Sequence, residues 1–95
     1  MTNEEPLRIK YTKSFKKDLK NASIKIQIAF REARDLFYTD SYHPALRNHP
    51  LTGKFAGFRS VDVTDDYRAI FKIRKGQKEI IITFHLLGTH NQLYV

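Results

Sequence analysis

Leu7, Ile9 and Tyr11 alternate with Arg8 and Lys10, the period of a strand buried on one face only. The six residues before Leu7 read as a frayed lead-in. The period then changes. Phe15 and Leu19 stand four apart among lysines, which predicts a short helix from an N-cap at Thr12 or Ser14 to about Asn21. Ser23 can cap a second helix, in which Ile26, Ala29, Phe30, Ala33, Leu36 and Phe37 form one apolar stripe, with Lys25, Arg31, Glu32 and Asp35 off it. Such a stripe is core rather than a ligand site.

This second helix gives out near Thr39 and Asp40, and Pro44, Pro50 and Gly53 mark a loop running to about Lys54. Three strands are expected next, over Phe55–Val63, Tyr67–Arg74 and Glu79–Leu87. The turn Thr64-Asp65-Asp66 joins the first two, and Gly76 is placed where a hairpin asks for positive φ. Tyr67, Ala69, Phe71 and Ile73 share one side of their strand, which the helices should cover, and Arg68, Ile70 and Lys72 share the other. In the last strand Ile80, Ile82 and Phe84 suit the covered side and Ile81, Thr83 and His85 the open one, unless a bulge exchanges the later positions. Asp62 and Arg68 become cross-strand neighbours on the open face. The pattern predicts an α+β protein of order β-α-α-β-β-β, a small mostly antiparallel sheet with two N-terminal helices packed on one face.

At 95 residues the chain is expected to be one domain, 1–95, with one modest core, so that an active site must lie on a sheet face or in a shallow groove. Charge sharpens this. Seventeen Lys and Arg against ten Asp and Glu give +7, a positive field that suits nucleic acid, or an acidic protein that caps the basic face. Without cysteine there is neither a disulfide framework nor a thiolate metal site. The N-terminus lacks the basic and apolar regions of a signal peptide and no apolar run approaches a membrane span, so a cytoplasmic protein is expected.

The chemistry-bearing residues gather in the second half. His49 precedes a proline, which biases it to extended backbone and leaves its imidazole near water, where it can serve as a proton carrier. His43 reads as a plain loop residue. Asp65 and Asp66 are turn formers, and Asp66 is the better functional candidate because it leads into the strand carrying Tyr67 and Arg68. Arg68 is either half of an ion pair with Asp62 or a phosphate clamp, for which its planar fork of donors is suited. Gly88-Thr89-His90 ends the last strand, and a short helical turn would bring His90 and Tyr94 to one side. These groups fit RNA cleavage by the neighbouring 2′-hydroxyl, in which a base removes its proton, an acid protonates the leaving 5′-oxygen and cations stabilise the phosphorane. The four histidines form no pair with metal-ligand spacing, and Gly53-Lys54 lacks the rest of a phosphate-binding loop.

The segments His49-Pro50-Leu51-x-Gly53, Gly57-Phe58-Arg59, Asp66-Tyr67-Arg68-x-Ile70-Phe71-Lys72, and Gly88-Thr89-His90 with Leu93-Tyr94 resemble the RelE/ParE superfamily of bacterial type II toxins, in particular its YafQ-type mRNA interferases. The resemblance covers nearly the whole chain. It implies a RelE-like fold, an open face that binds mRNA in the ribosomal A site, a cognate antitoxin forming a toxin–antitoxin hetero-oligomer, and no cofactor or metal. It further implies acid-base positions at His49, Asp66 and His90, an aromatic at Tyr67 where the pattern has tryptophan, and a C-terminal aromatic at Tyr94. Arg68 resembles the arginine of the Tyr-Arg-Leu-Val-Tyr strand of RelE. The pattern has histidine where Asp62 stands and arginine where Leu86 stands.

The expected catalytic set is therefore His49, Asp66, Arg68, His90 and Tyr94, with Lys54, Arg59, Asp62, Tyr67, Lys72 and His85 contacting RNA. Which histidine is acid and which is base stays open. The alternatives to a ribosome-dependent mRNA endoribonuclease are a ParE-like inhibitor of gyrase and an inactive RelE-fold domain that only binds an antitoxin.

Overall fold

The computed structural model describes residues 6–94; the first five residues of the expected six-residue lead-in, and Val95, lie outside them. In chain order come β1 (Leu7–Tyr11), α1 (Lys13–Asn21), α2 (Ile24–Thr39), β2 (His49–Pro50), β3 (Arg59–Asp62), β4 (Tyr67–Lys75), β5 (Ile80–Thr89) and α3 (His90–Leu93). They form an α+β fold around one mixed sheet of order β1-β5-β4-β3-β2, in which β1 runs parallel to β5 and the other pairs are antiparallel.

Both helices start where a side chain caps them. The Thr12 hydroxyl accepts from the Phe15 N–H at 3.0 Å and the Ser23 hydroxyl from the Ile26 N–H at 3.3 Å, satisfying donors that the first turn leaves free. Thr12 also donates to the His85 carbonyl, which ties the start of α1 to the middle of β5. The expected stripe of α2 faces the sheet: Ile26, Phe30 and Phe37 are buried, and Ala33 and Leu36 pack against the core.

Phe84 occupies the centre of that core. Its ring lies 5.3–6.0 Å from those of Tyr11, Phe15, Phe30, Phe37 and Phe71, joining both helices to β1, β4 and β5. Offset and edge-on pairs of this kind each add about 0.5–1.5 kcal/mol beyond the area they bury. Val61, Ala69, Ile82 and Leu87 complete the layer, and Leu46 closes its end.

Several expected boundaries move. The loop to Lys54 contains short 3-10 turns at Pro44–Leu46 and Gly53–Phe55 and, between them, the edge strand β2, so His49 sits on a strand rather than in a loop. The strand expected from Phe55 begins only at Arg59, because Gly57 at φ +92° turns the chain immediately before it. Gly76 is not among the residues at positive φ; its N–H donates to the Glu79 carbonyl at 2.8 Å and closes the β4–β5 turn that way. The bulge does occur: Phe71 pairs with Phe84 but Ile70 with Leu86, so His85 is the additional residue and Leu87, opposite Ala69, returns to the core. Ile73 belongs to the covered side by alternation, yet it is 45% exposed.

The face away from α1 and α2 carries a smaller apolar layer. Ile70 and Ile81 are buried outside the main core, and the segment Phe55–Phe58 crosses this face with the Phe58 ring 5.2 Å from the His85 ring.

Candidate active site

On that open face a groove of about 300 Å³ is lined by Arg47, His49, Leu51, Ser60, Arg68, His90 and Tyr94. They come from β2 and the residues flanking it, from β3 and β4, and from α3 and its C-cap. β2 places His49 opposite Ser60 on β3, β3 places Asp62 opposite Arg68 on β4, and β4 places Arg68 opposite Gly88 on β5, directly before the turn that carries His90. A shift of one residue in any of these pairings would move the side chains to the opposite face.

The His49 ring nitrogen Nδ1 lies 2.6 Å from the main-chain carbonyl of Arg47. A carbonyl only accepts, so Nδ1 carries the hydrogen, and in the neutral ring Nε2 is left with the lone pair. This tautomer is the one a general base needs at its outer nitrogen.

His90 and Tyr94 are set by α3. Thr89 caps that turn: its hydroxyl accepts from the Gln92 N–H at 3.1 Å while the Gln92 side chain accepts from the Thr89 N–H at 2.8 Å. The His90 and Tyr94 rings then lie 4.7 Å apart, on one side as expected. The turn does not need a flexible glycine. Gly88 lies within β5, where a Cβ would meet Gln92 Oε1 at 3.1 Å and Leu93 Cδ2 at 3.3 Å, so the requirement is for close approach of α3 to the strand.

Arg68 and Asp62 are neighbours, as the register requires, and neither is a surface group. Their side chains are 15% and 14% exposed, with Arg68 Nε 3.0 Å from Asp62 Oδ1. The contact is a charge pair without hydrogen-bond alignment, since Oδ1 has no hydrogen-bond partner among the described residues. The guanidinium instead donates through Nη1 to the carbonyls of Thr64, at 2.9 Å, and Tyr67, at 3.2 Å. Arg68 therefore braces the β3–β4 turn, and among the described residues no hydrogen bond engages its Nη2. The other Asp62 oxygen lies 3.3 Å from Arg47 Nε.

The remaining expected residues divide. Lys72 and Lys54 stay on the open side, their ammonium groups 4.6 Å and 5.3 Å from the ring centres of Phe58 and Phe55. His85 lies beside Phe58, and its pKa is pushed below the ordinary 6.5, first by burial and then by the charge of Lys72. Asp66 does not line the groove; it meets the site through its main chain, whose carbonyl accepts from the His90 N–H at 3.2 Å.

Two expected RNA contacts fall elsewhere. Tyr67 packs against the main core, on the side of Ala69 and Phe71, because alternation along β4 turns it away from Arg68. Arg59 alternates away from Ser60 in the same manner; its Nε donates to Asn48 Oδ1 at 2.8 Å and its guanidinium sits over the Tyr42 ring. His43 is structural, accepting from the Ala45 N–H to cap a 3-10 turn.

Sequence reasoning passed over Arg47 and Ser60. Ser60 is fully buried beneath the groove with no partner for its hydroxyl among the described residues, and its alternation with Val61 was the available signal. Arg47 had no such signal, because its part in the site depends on its left-handed backbone, φ +48° and ψ +47°.

The family model that matches is that of YafQ, described as a bacterial toxin of a type II toxin–antitoxin system, over residues 7–95. No curated protein sequence matches significantly. Among solved structures, YafQ from E. coli superposes with a TM-score of 0.74 at 24% identity, covering 93% of this chain and 98% of that one. The E. coli DinJ–YafQ toxin–antitoxin complex matches with a TM-score of 0.73 at 24% identity, over 95% and 99% of the two chains. A metal-bound toxin from Helicobacter pylori matches at 0.66 and 27% identity, over 92% and 98%. With the RelE-like sheet in place and a family match over nearly its whole length, this chain belongs to the YafQ family of type II toxin–antitoxin toxins.

Proposed function

We propose that this toxin is a ribosome-dependent mRNA endoribonuclease that arrests translation by acid-base cleavage, acting as a single domain in the cytoplasm. The observation that carries the reading is the convergence of two imidazoles, two guanidiniums and a phenol on one groove of a strongly basic chain. In the proposed reaction His49 Nε2 takes the proton of a 2′-hydroxyl, whose oxygen bonds to the adjacent phosphorus. The bond from phosphorus to the 5′-oxygen breaks, and His90, as imidazolium, supplies the proton to that oxygen. The products are a 2′,3′-cyclic phosphate and a 5′-hydroxyl end. Arg68, through Nη2, offsets charge on the phosphorane, and Tyr94, whose ring lies tilted beside that of His90, positions a base or the scissile group. Asp66 supports His90 through its carbonyl. Lys54, Lys72 and His85 provide a path for the flanking RNA across the open face, where cation and ring surfaces alternate.

The DinJ–YafQ complex supports a cognate antitoxin as the second partner, an acidic protein that would cover the basic face. The test is single-turnover cleavage of mRNA on programmed ribosomes with wild type, His49→Gln and His90→Gln. Cleavage by wild type, lost by at least a hundredfold in either variant while antitoxin binding persists, is expected. Intact mRNA with the wild-type protein would end this reading.

A second reading has one observation in its favour. Arg68 is already engaged by the carbonyls of Thr64 and Tyr67, to which Nη1 donates, and by the charge of Asp62, as expected of a RelE-fold domain that binds its antitoxin without performing chemistry. That domain would bind the antitoxin and leave mRNA uncut.

A further inference from the structure

We infer that Arg47 is a second phosphate-binding residue of the groove, held ready by Asp62 for the backbone of single-stranded RNA; the inference rests on the reading of this face as an RNA site.

The backbone at Arg47 is left-handed, a conformation that costs a residue with a Cβ roughly 1–2 kcal/mol relative to the right-handed one. Its carbonyl holds His49 Nδ1, but glycine would supply the same carbonyl without the strain. The main chain alone does not explain an arginine here. The side chain does. Its closest approach to Asp62 is through Nε, 3.3 Å from Oδ2, while the side chain as a whole is 69% exposed, and among the described residues no hydrogen bond engages its terminal nitrogens. One edge of the guanidinium is thus anchored and the other is presented at the groove.

Arg68 presents the reverse picture. It is 15% exposed and gives Nη1 to two main-chain carbonyls. One carboxylate therefore holds two guanidiniums, a buried one that braces the sheet and an exposed one whose fork remains open. The three charges sum to +1, and that unit of charge is carried by the accessible arginine. A planar fork already restrained at Nε loses little freedom when it takes a phosphate, unlike a solvated lysine. Because Arg47 and His49 are linked through the carbonyl, a phosphate on Arg47 lies next to the proposed base.

The test uses Arg47→Gly, which suits the left-handed backbone and so does not put folding at risk, with Arg47→Lys as the conservative variant. Three measurements are made: anisotropy of a fluorescein-labelled single-stranded RNA of about ten nucleotides at several salt concentrations, single-turnover cleavage on programmed ribosomes, and thermal melting. For Arg47→Gly a loss of affinity of about tenfold is expected, with a plot of log affinity against log salt shallower by about 0.7, the loss of one single-strand phosphate contact. Arg47→Lys should recover the slope and part of the affinity. Cleavage should fall about tenfold in Arg47→Gly, with the melting temperature unchanged or higher.

Wild-type protein that binds the RNA with this salt signature but leaves mRNA intact supports the phosphate site and removes the nuclease reading alone. An unchanged slope and affinity in Arg47→Gly, or no RNA binding by the wild type, overturns the assignment of Arg47.

Discussion

Gly88→Ala tests whether the helical turn bearing His90 and Tyr94 is docked as closely as the structure requires. A Cβ at this position would stand 3.1 Å from Gln92 Oε1 and 3.3–3.4 Å from Leu93 Cδ2 and Cγ, tighter than ordinary van der Waals contact. A flexible side chain could withdraw, but Gln92 is pinned in the capping box by its 2.8 Å bond from the Thr89 N–H, and Leu93 is buried. Displacing Gln92 forfeits a hydrogen bond worth about 0.5–1.5 kcal/mol. Overpacking against Leu93 adds about 1–3 kcal/mol. Replacing glycine returns about 0.4–1 kcal/mol through the unfolded chain. The net expectation is a destabilisation of about 0.5–4 kcal/mol, read as a melting temperature lower by roughly 4–8 °C per kcal/mol for a chain of this size. Because the strain falls on α3, activity should fall further than stability. At a temperature where the variant is fully folded by circular dichroism, mRNA cleavage should be down at least tenfold with antitoxin binding intact. A variant that melts at or above the wild-type temperature would refute the close-approach argument. One that is destabilised but cleaves at the wild-type rate would show that α3 does not set the site.

Phe84→Ala removes the ring shared by five aromatic neighbours and should cost about 3–5 kcal/mol, enough to leave much of the protein unfolded in a urea titration at 25 °C. Thr12→Ala removes both a helix cap and the tie to the His85 carbonyl, and a loss of about 1–2 kcal/mol is expected from the urea midpoint. Arg68→Ala deprives two carbonyls and Asp62 of their partner; a loss of about 1.5–3 kcal/mol by the same measurement would identify it as a brace, and an unchanged midpoint would reject that role. His85 titrates below 6.5 in the folded protein, so on acidification the unfolded chain takes up its proton first. Its contribution to stability is complete above 6.5 and declines as pH falls below that value. Urea midpoints taken between pH 7 and 5 should fall, and His85→Gln should flatten that decline; an identical slope in the variant would contradict it.

Local physical chemistry made much of this fold legible in advance. Alternation at Leu7–Tyr11, the caps at Thr12 and Ser23 and the stripe Ile26–Phe37 each depend on residues a few positions apart, and each element formed where those spacings placed it. The pairing of Asp62 with Arg68 was also readable, because a short turn between two strands leaves few registers. The residue segments carrying the family resemblance led to the YafQ family, which the match over residues 7–95 establishes.

What only the tertiary structure decided lies at greater separation. The two-residue strand β2 has no periodicity to detect and exists because β3 offers it an edge. Arg59 carries chemistry suited to RNA, yet its contacts with Asn48 and Tyr42 hold it away from the groove. The partition of roles between the arginines was likewise invisible: Arg47, Asp62 and Arg68 are separated along the chain, and their contact depends on a left-handed residue, a register and a turn acting together. A sequence pattern specifies which groups are available and on which face of its element each will fall. Which of them share a carboxylate, which remain open to a ligand and which imidazole nitrogen carries the proton are set by distances that exist only once the sheet has closed on its core.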